Sequence, residues 1–476
     1  MYSEAIEDRI RRKVDSLNPH WADGQVVQDI LNLPKRRYFD LFFPLVRQWE
    51  VARAVILMGP RRVGKTILLQ QTISKLILAG HSPTSLIYLS LDEPLFYKYS
   101  LEQLLSLLRE ILKVESLDKS LIIFDEIQYL EHWDVELKIL VDHYKQTKFI
   151  ASGSAAGVLR KQSIESGAGR FTDFMLPALT FYEYLDFLNL NETLIEFDVT
   201  KNKPVACKNI DLLNQEFIKY LNYGGFPEAV FNQAIRENPQ VFIKKDIIDK
   251  VLLRDLPKLY GIENVQELNR LFGYLCFRTG SEINYENLSQ SSGIAKNTIK
   301  KYLDYLEAAF LIRIVKRVDE SGKTFKRENY FKIYVTNPSM YCALYGIIDE
   351  QDTKTMGALV ETAIFSQFAH DTQWLDNIYY ARFSKGKGEV DMVYLDANFK
   401  IPWCLEIKWS DRYVNHLEEL KSLMVFCQKN RPRTITVSTH SIQKHVAIDG
   451  LNIQFKEAAL ICYSVGFNSI KEKSHI

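Results

Sequence analysis

The residues with the most recognisable chemistry form a glycine-rich run that ends in a lysine and a threonine. They are Gly59, Pro60, Arg61, Arg62, Val63, Gly64, Lys65 and Thr66. Glycines let the backbone curl so that successive N–H groups point at a phosphate, and a helix N-terminus reinforces that field. In this spacing, Lys65 would reach the β- and γ-phosphates of ATP, and the Thr66 hydroxyl would ligate Mg²⁺. The run therefore predicts an ATP-binding loop.

An acidic pair, Asp125 and Glu126, follows the apolar run 121–124. At the tip of a buried strand, Asp125 would hold Mg²⁺ through water, and Glu126 could polarise the water that attacks the γ-phosphate. The pair therefore predicts ATP hydrolysis and not binding alone. A solvated strand end is the alternative, and the alternation of strands and helices between the two motifs argues against it.

Later in the chain, Ser154 and Arg170 are candidates for contact with the γ-phosphate. Ser154 follows the next apolar run and could sense that phosphate, although a serine here is often only a turn residue. Arg170 follows the glycine-containing stretch 167–169 and is suited to stabilising transition-state charge, within the chain or on a neighbouring subunit. A plain surface arginine is the competing interpretation.

A second acidic group lies in two strand-like runs near the C-terminal end, 389–394 and 403–409, separated by a turn at 396–398. Residues two apart on a strand share a face, so Glu406 and Lys408 are expected to point together. If the two strands pair, Asp391 can lie on that same face.

These side chains have the chemistry of a metal-dependent phosphodiesterase. Carboxylates of Asp391 and Glu406, with the Ile407 carbonyl, could hold Mg²⁺ or Mn²⁺, and Glu361 on an upstream helix could complete the set. Lys408 would orient water or stabilise the developing charge. The pattern resembles the PD-(D/E)XK phosphodiesterase superfamily. An inert nuclease fold that serves DNA binding or assembly stays open, as does coincidence.

The elements around the first two motifs are of α/β type. Strand-like runs at 55–58, 85–91, 121–124 and 149–152 alternate with helical patterns at 65–78, 101–113 and 134–146. Such alternation predicts a parallel sheet. After Pro177 the pattern changes to aromatic-rich helical segments that run to about residue 275, and the chain ends in mixed helices and strands.

A helix-turn-helix pattern lies within 283–311, where a short helix, a Ser-Ser-Gly turn and a longer helix follow one another. Between Lys296 and Lys332 there are ten Lys and Arg against five Asp and Glu. Such a local excess favours phosphate backbones, and Asn297 and Lys300 could contact DNA. A packing module that joins two domains and touches no DNA is the alternative.

Composition sets the outer bounds. The 476 residues carry 60 Lys and Arg against 59 Asp and Glu, and 47% are hydrophobic. This is the balance of a soluble globular protein of about two to four domains. The near-neutral charge excludes nucleic-acid binding by net charge alone. No apolar run has the roughly 20 residues that cross a bilayer, and the six scattered cysteines suit a reducing cytoplasm.

The motif order resembles the bacterial and archaeal AAA-type ATPases that carry a C-terminal domain of uncharacterised function. The segments that carry the resemblance are VILMGPRRVGKTILL, LIIFDEIQ, ASGSAA, AGRFTDFMLPALTFYEYL, YGGFPEAV, VLLRDL and GALVETAIF. The resemblance implies a P-loop module, a helical lid, a winged helix and a nuclease-like C-terminal fold. It also implies that Lys65 and Thr66 bind nucleotide and Mg²⁺, that Asp125 and Glu126 form the acidic site, and that Ser154 is the sensor.

We therefore expect an α/β chain of five parts: an N-terminal helical segment (1–29), an AAA-type ATPase domain (30–190), a helical lid (191–275), a winged helix (276–335) and a PD-(D/E)XK-like domain (336–476). The predicted function is a Mg²⁺-dependent ATPase coupled to DNA binding through the winged helix and C-terminal domain, with DNA cleavage left open. The alternative is a nucleotide-switched scaffold with an inert nuclease-like domain. Homo-oligomerisation also stays open, and no membrane partner is expected.

Overall fold

The computed structural model describes residues 2–24, 28–154, 169–198, 200, 203–325, 329–370, 372–383 and 388–471. The chain divides into two compact units, Met1–Pro177 and Ala178–Ile476, which we call the N-terminal unit and the C-terminal unit. The sequence stretches 155–168 and 384–387, which contributed to the predictions around Arg170 and Asp391, lie outside the described residues. None of the described helices is both long enough and apolar enough to span a membrane.

The N-terminal unit is built on a five-stranded parallel sheet in the order β2-β3-β4-β1-β5. Its strands are β1 (Ala54–Met58), β2 (Leu86–Ser90), β3 (Leu121–Asp125), β4 (Lys148–Gly153) and β5 (Phe171–Met175). Every residue of β1 and β3 is buried, as expected for the central strands of a sheet covered on both faces. The predicted parallel sheet is confirmed, with strand bounds within one or two residues of the expected ones.

Helices and short 3₁₀ turns connect these strands. Among the described residues of this unit, the α-helices are α1 (Tyr2–Leu17), α2 (His20–Asp23), α3 (Gln28–Asn32), α4 (Phe39–Arg47), α5 (Lys65–Leu78), α6 (Leu101–Leu112) and α7 (Trp133–His143), and the 3₁₀ turns are Pro83–Ser85 and Ile127–Tyr129. Helix α6 starts at a capping box in which Ser100 and Gln103 satisfy each other's backbone N–H groups.

The C-terminal unit contains three sheets. The strands are β6 (Ile195–Asp198), β7 (Lys203–Cys207), β8 (Glu282–Asn284), β9 (Ile312–Val315), β10 (Arg317–Val318), β11 (Tyr330–Val335), β12 (Ile378–Arg382), β13 (Glu389–Tyr394), β14 (Trp403–Glu406), β15 (Thr434–Thr439), β16 (Lys444–Ile448) and β17 (Leu451–Glu457). They form a two-stranded sheet β6-β7, a three-stranded antiparallel sheet β8-β11-β9, and a seven-stranded mixed sheet β10-β12-β13-β14-β15-β17-β16.

The helices of this unit are α8 (Phe181–Phe187), α9 (Asn191–Leu194), α10 (Ile210–Tyr223), α11 (Pro227–Phe231), α12 (Gln233–Glu237), α13 (Pro239–Ile243), α14 (Leu256–Tyr260), α15 (Val265–Phe277), α16 (Tyr285–Ser292), α17 (Lys296–Ala308), α18 (Ser339–Tyr345), α19 (Thr353–Phe368), α20 (Thr372–Leu375), α21 (Lys421–Asn430) and α22 (Ala458–Lys471). Two π-helical turns, Lys244–Asp249 and Val251–Asp255, and the 3₁₀ turns Arg412–Val414 and Leu417–Leu420 complete the unit.

The three-stranded and seven-stranded sheets are continuous in the chain. Strand β10 follows β9 after a single residue and pairs with β12 of the larger sheet, where Arg317 lies opposite Tyr380. The predicted boundary at 335/336 would assign β10 to the winged helix, whereas its hydrogen bonds place it in the C-terminal sheet. Helix α19 and strand β11 share one hydrophobic core with α22, which includes Leu359, Ile333 and Leu460. The two sheets therefore belong to one folded body.

Candidate functional sites

The glycine-rich loop lies where its sequence predicts, between the carboxyl end of β1 and the start of α5. Gly59 passes so close to the neighbouring chain that a Cβ there would lie 2.1 Å from the Leu176 carbonyl oxygen. Gly64 has φ of 95°, in the region that favours glycine. The loop therefore needs both glycines, one for a close approach and one for its backbone conformation.

Lys65 is 5% exposed and its ammonium folds back onto the loop, donating to the carbonyls of Gly59 and Pro60 at 2.9 Å each. Carbonyl groups at this distance hold the ammonium inside the curve of the loop, where a phosphate would be received. Arg61 donates to the Tyr129 hydroxyl at 3.2 Å, and Arg62 adopts a positive φ of 63°.

Asp125 is the centre of a network of neutral donors at the tip of β3. Its Oδ2 accepts from the Thr66 hydroxyl at 2.8 Å and from the Tyr88 hydroxyl at 2.6 Å. Its Oδ1 accepts from the Ser152 hydroxyl and from the Glu126 backbone N–H. Burial and the negative charge of Asp125 raise the pKa of Tyr88, so the phenol stays a donor. Asp125 and Thr66 thus lie together, as a shared Mg²⁺ site requires, and their oxygens suit that ion.

Glu126 lies beside this network in the left-handed backbone region, with φ of 54°. Its carboxylate accepts from Gln128 and from the Ser154 hydroxyl, the latter at 3.3 Å. Burial raises the pKa of Glu126, an effect that Lys65 opposes and Asp125 increases. The Oε1 atom of Gln128 is buried and has no partner among the described residues. The structure therefore gathers Glu126, Gln128 and Ser154 at the carboxyl edge of the sheet.

Arg170 lies at the opposite edge. Its carbonyl accepts from the N–H of Ala54, which opens β1, whereas the glycine-rich loop follows the other end of that strand. Its guanidinium pairs with Asp142 at 3.1 Å and lowers the pKa of that carboxyl. A five-residue strand separates Arg170 from the loop by roughly 16 Å. This position argues against action on a nucleotide in the same chain, and action on a neighbouring subunit stays a prediction.

The second acidic group is assembled in the C-terminal unit. Strands β13 and β14 pair antiparallel, with Met392 opposite Leu405 and Val393 opposite Cys404, so the next pair in this register is Asp391 and Glu406. The Ile407 N–H donates to Asp391 Oδ2 at 2.8 Å. The strand pairing that would bring the two carboxylates together is thus present.

Lysines surround these carboxylates. The Nζ of Lys408 lies 2.7 Å from Glu406 and 3.6 Å from Asp391. The Nζ of Lys332 lies 2.8 Å from Glu361, 2.7 Å from Glu389 and 3.8 Å from Asp391. We call this group the carboxylate cluster; its members are Lys332, Glu361, Glu389, Asp391, Glu406 and Lys408.

The environment of the carboxylate cluster is dry. The Lys332 side chain is 2% exposed and that of Asp391 is 12% exposed. Burial raises the pKa of Glu406 to about 8, and Asp391 adds to this while Lys408 opposes it. Burial alone would lower the pKa of Lys332, but the surrounding carboxylates raise it well above its usual value. Glu406 Oε2 is buried and has no hydrogen-bond partner among the described residues. This oxygen is therefore available to a cation.

Sequence reasoning missed several residues of these sites, among them Tyr88, Ser152 and Lys332. Tyr88 and Ser152 lie within apolar runs and look like ordinary strand positions. Lys332 gave a clearer signal, since a lysine in the middle of the run YFKIYV must either reach solvent or be buried with partners.

Residues 51–185 match the family model described as AAA domain, AAA_14, and residues 214–351 match a domain of unknown function, DUF8612. Together with the parallel sheet and the loop, the first match supports an AAA-type P-loop ATPase in the N-terminal unit. The predicted likeness of residues 336–476 to the PD-(D/E)XK superfamily has no support among these matches.

The chain is 26% identical over 370 residues to the uncharacterized protein MJ1544 of Methanocaldococcus jannaschii, covering 75% of this chain and 76% of that protein. It is also 26% identical over 352 residues to an uncharacterized protein of Haemophilus influenzae, covering 72% of this chain and 77% of that one. Among solved structures, the Walker-type ATPase paby2304 of Pyrococcus abyssi has a TM-score of 0.37 at 16% identity, covering 65% of this chain and 95% of that one.

Proposed function

We propose that the N-terminal unit binds and hydrolyses ATP with Mg²⁺, and that its nucleotide state controls DNA binding by the C-terminal unit. The observation that carries the ATPase proposal is the network at Asp125. A hydroxyl of the loop, Thr66, lies 2.8 Å from the carboxylate at the tip of β3. Lys65 of the loop and Glu126, which is suited to hold a water, are close enough to interact electrostatically.

In this proposal, the phosphates of ATP replace the carbonyls of Gly59 and Pro60 as partners of the Lys65 ammonium, and the loop N–H groups bind the phosphate oxygens. Thr66 and Asp125 would hold Mg²⁺, which neutralises phosphate charge when bound. Glu126 orients the attacking water and accepts its proton, for which its raised pKa is suited. The unpartnered Oε1 of Gln128 offers that water a second acceptor, and Ser154 responds to the γ-phosphate through its bond to Glu126.

The test of the ATPase proposal is steady-state ATP turnover of the full chain and of Lys65→Ala. We expect turnover to fall by about 100-fold or more, because the loop loses the ammonium that is proposed to contact the β- and γ-phosphates. Lys98→Ala, at an exposed lysine of the same unit, is the matched control and should turn over ATP like the wild type. Equal turnover in Lys65→Ala would refute the assignment of the loop.

The DNA proposal rests on the segment that carries α16, α17 and the three-stranded sheet, an order typical of a winged helix. The first part of α17 exposes four polar or basic side chains: Lys296, Asn297, Lys300 and Lys301. The Lys300 ammonium also lies over the ring of Tyr285, at 5.2 Å from its centroid. Exposed cationic groups on the second helix of such a pair suit contact with DNA phosphates.

Fluorescence anisotropy with a labelled duplex, with and without ATP, tests this part. The double variant Lys300→Ala with Lys301→Ala should bind more weakly and should lower the salt dependence of the affinity by about two charges. The matched control is Lys244→Ala with Lys245→Ala, an adjacent pair of exposed lysines elsewhere in the unit. Equal loss in both double variants would mean that α17 is not the DNA-binding helix.

For the carboxylate cluster, we propose metal-dependent cleavage of DNA, supported by the pairing of β13 with β14 and by the free Glu406 Oε2. Mg²⁺ or Mn²⁺ would be held by Asp391 and Glu406, with Lys408 positioned to bind a developing negative charge. The assay is nicking of supercoiled plasmid by wild type, Asp391→Ala and Lys408→Ala, with and without ATP. Cleavage by wild type that both variants lose would support it.

A second candidate function is a nucleotide-switched scaffold in which the cluster is inert. The observation that favours it is Lys332, whose ammonium already contacts three carboxylates of the cluster. Intact ATP turnover without plasmid cleavage under either metal, together with nucleotide-dependent assembly of the chain, would select the scaffold over the nuclease.

A further inference from the structure

The carboxylate cluster contains a cation supplied by the protein itself. Lys332 lies on β11, the middle strand of the three-stranded sheet, where it pairs with Glu282 of β8 and Val315 of β9. Its side chain extends from that sheet to carboxylates on α19 and β13. The ammonium therefore joins the segment proposed to bind DNA to the cluster proposed to bind metal.

The contacts of Lys332 hold it in that position. The Tyr334 hydroxyl donates to the same Oε1 of Glu361 that the ammonium contacts at 2.8 Å. Glu389 is shared with Arg382, whose Nη1 lies 2.9 Å from the other carboxylate oxygen. The ring of Tyr380 lies beneath the ammonium, with its centroid 5.5 Å away. A buried charge with this many partners is expensive to remove and fixed in one place.

The ammonium and a divalent cation would compete for the negative charge of Asp391. Lys332 Nζ is 3.8 Å from Asp391 Oδ1, and the ligand distances of Mg²⁺ are near 2.1 Å. A doubly charged ion bound by Asp391 and Glu406 would therefore lie close to a fixed unit positive charge. Repulsion at such separations in a dry site is strong.

We propose that Lys332 is a competitor supplied by the protein itself, which keeps divalent cations out of the carboxylate cluster. This inference rests on the proposed role of the cluster as a cation site. It is independent of the ATPase proposal, because no residue of the glycine-rich loop takes part in it.

The test is a titration with Mn²⁺ in the absence of nucleotide. Binding is measured as the loss of the electron paramagnetic resonance signal of free Mn²⁺. All proteins carry Asp125→Asn, which removes the acidic ligand of the nucleotide site. In this background, Lys332→Met should bind one Mn²⁺ per chain at the cluster, at least about ten-fold more tightly than the chain with Lys332 does. Adding Asp391→Asn should abolish the gained site.

Two controls isolate the cluster. Lys456→Met removes a half-buried lysine of the same unit that lies near Ser464, and it should leave Mn²⁺ binding unchanged. The exposed residues His416, Glu418 and Glu419 could also take up Mn²⁺, but they are the same in every variant and cancel in the difference. Where Lys332→Met alone does not fold, Lys332→Met with Glu361→Gln removes one carboxylate together with the ammonium, and the gain in binding should persist.

The outcomes separate the inference from the function on which it rests. Tight binding of Mn²⁺ to Asp391 in the chain that keeps Lys332, with no gain in Lys332→Met, would overturn the competitor role while leaving the metal site intact. No binding in either Lys332→Met or the double variant would overturn both the metal site and the inference. In each case, ATP turnover of the wild type would stand as before.

Discussion

Both units place carboxylates at the ends of strands, but the groups that hold these carboxylates differ in charge. In the N-terminal unit, Asp125 is held by hydroxyls of Thr66, Tyr88 and Ser152 and by a backbone N–H. In the C-terminal unit, the carboxylate cluster is held chiefly by the ammonium groups of Lys332 and Lys408. Neutral donors fix a carboxylate and leave its charge for an incoming cation, whereas ammonium groups neutralise it.

The difference separates the site proposed to bind Mg²⁺ from a site whose carboxylates already have cationic partners within the protein. A carboxylate that keeps its full charge in a buried place is costly unless hydrogen bonds stabilise it, and the donors at Asp125 supply that stabilisation. In the carboxylate cluster, the ammonium groups of Lys332 and Lys408 supply the stabilisation instead. Similar acidic residues in sequence can therefore meet neutral donors in one unit and cationic partners in the other.

The largest expected effect is on stability. Lys332→Met leaves buried carboxylates without their counter-ion and should lower the free energy of unfolding by about 3–5 kcal/mol, measured by urea titration of the full chain. Lys332→Met with Glu361→Gln should recover part of that loss. If Lys332→Met were as stable as wild type, the ammonium would not be the group that holds the cluster.

The next effect contrasts one carboxylate from each site in a single assay. Asp125→Asn should reduce ATP turnover by about 100-fold, because it removes the acidic ligand next to Thr66. Asp391→Asn should leave ATP turnover within about two-fold of wild type, since no nucleotide contact is proposed for the cluster. A comparable loss of ATP turnover in both variants would contradict the assignment of separate roles to the two sites.

A smaller effect tests the neutral donors. Tyr88→Phe removes one hydroxyl from Asp125 and should lower the free energy of unfolding by about 1.5 kcal/mol, with a higher Mg²⁺ requirement for turnover. Tyr144→Phe is the matched control, because that hydroxyl donates to Glu102 at the surface, at 2.7 Å. We expect the control to change stability by less than about 1 kcal/mol.

The smallest effect compares two buried lysines. Lys148 on β4 has a backbone carbonyl, that of Gln48, at 3.1 Å, and burial lowers the pKa of Lys148 to about 8. Between this value and the usual pKa of 10.5, the unfolded chain binds a proton that the folded chain does not, so stability rises with pH. In Lys148→Met, the free energy of unfolding should rise less between pH 8 and 10.5 than in the wild type, as measured by urea titration at each pH.

Lys332 itself should contribute no pH dependence over the same range. Because its pKa is raised, its contribution to stability is fully present below the unfolded pKa of 10.5 and is lost only above that value. Below pH 10.5, the Lys332 ammonium therefore adds no pH dependence of its own to stability, in contrast to Lys148.

Much of the N-terminal unit could be predicted because its signals are local. The helix expected over 65–78 is present with the same bounds, and the helix expected over 101–113 ends one residue earlier. The loop and the acidic pair follow buried strands of a parallel sheet, so the strand order alone brings them to one edge. The pairing expected between the strands of Asp391 and Glu406 is likewise present, because the two strands are close neighbours in sequence.

The residues that were not predicted depend on contacts across the fold. The approach of Tyr88 to Asp125 depends on the register between β2 and β3, in which Ser90 lies opposite Asp125. The opposite placement of Arg170 follows from β5 running parallel to β1, with Ala54 opposite Phe171. Neither register can be read from the spacing of residues along the chain.

The sequence by itself determined which backbone can curl around a phosphate and which strands end in carboxylates, because glycine spacing and apolar runs act over a few residues. The tertiary structure alone decided which counter-charges those carboxylates meet. Lys332 is separated from Glu361 by 29 residues, and only the packing of β11 against α19 and β13 brings its ammonium among them. A buried charge takes whatever partners the fold provides, so its role is set by packing and not by its neighbours in sequence.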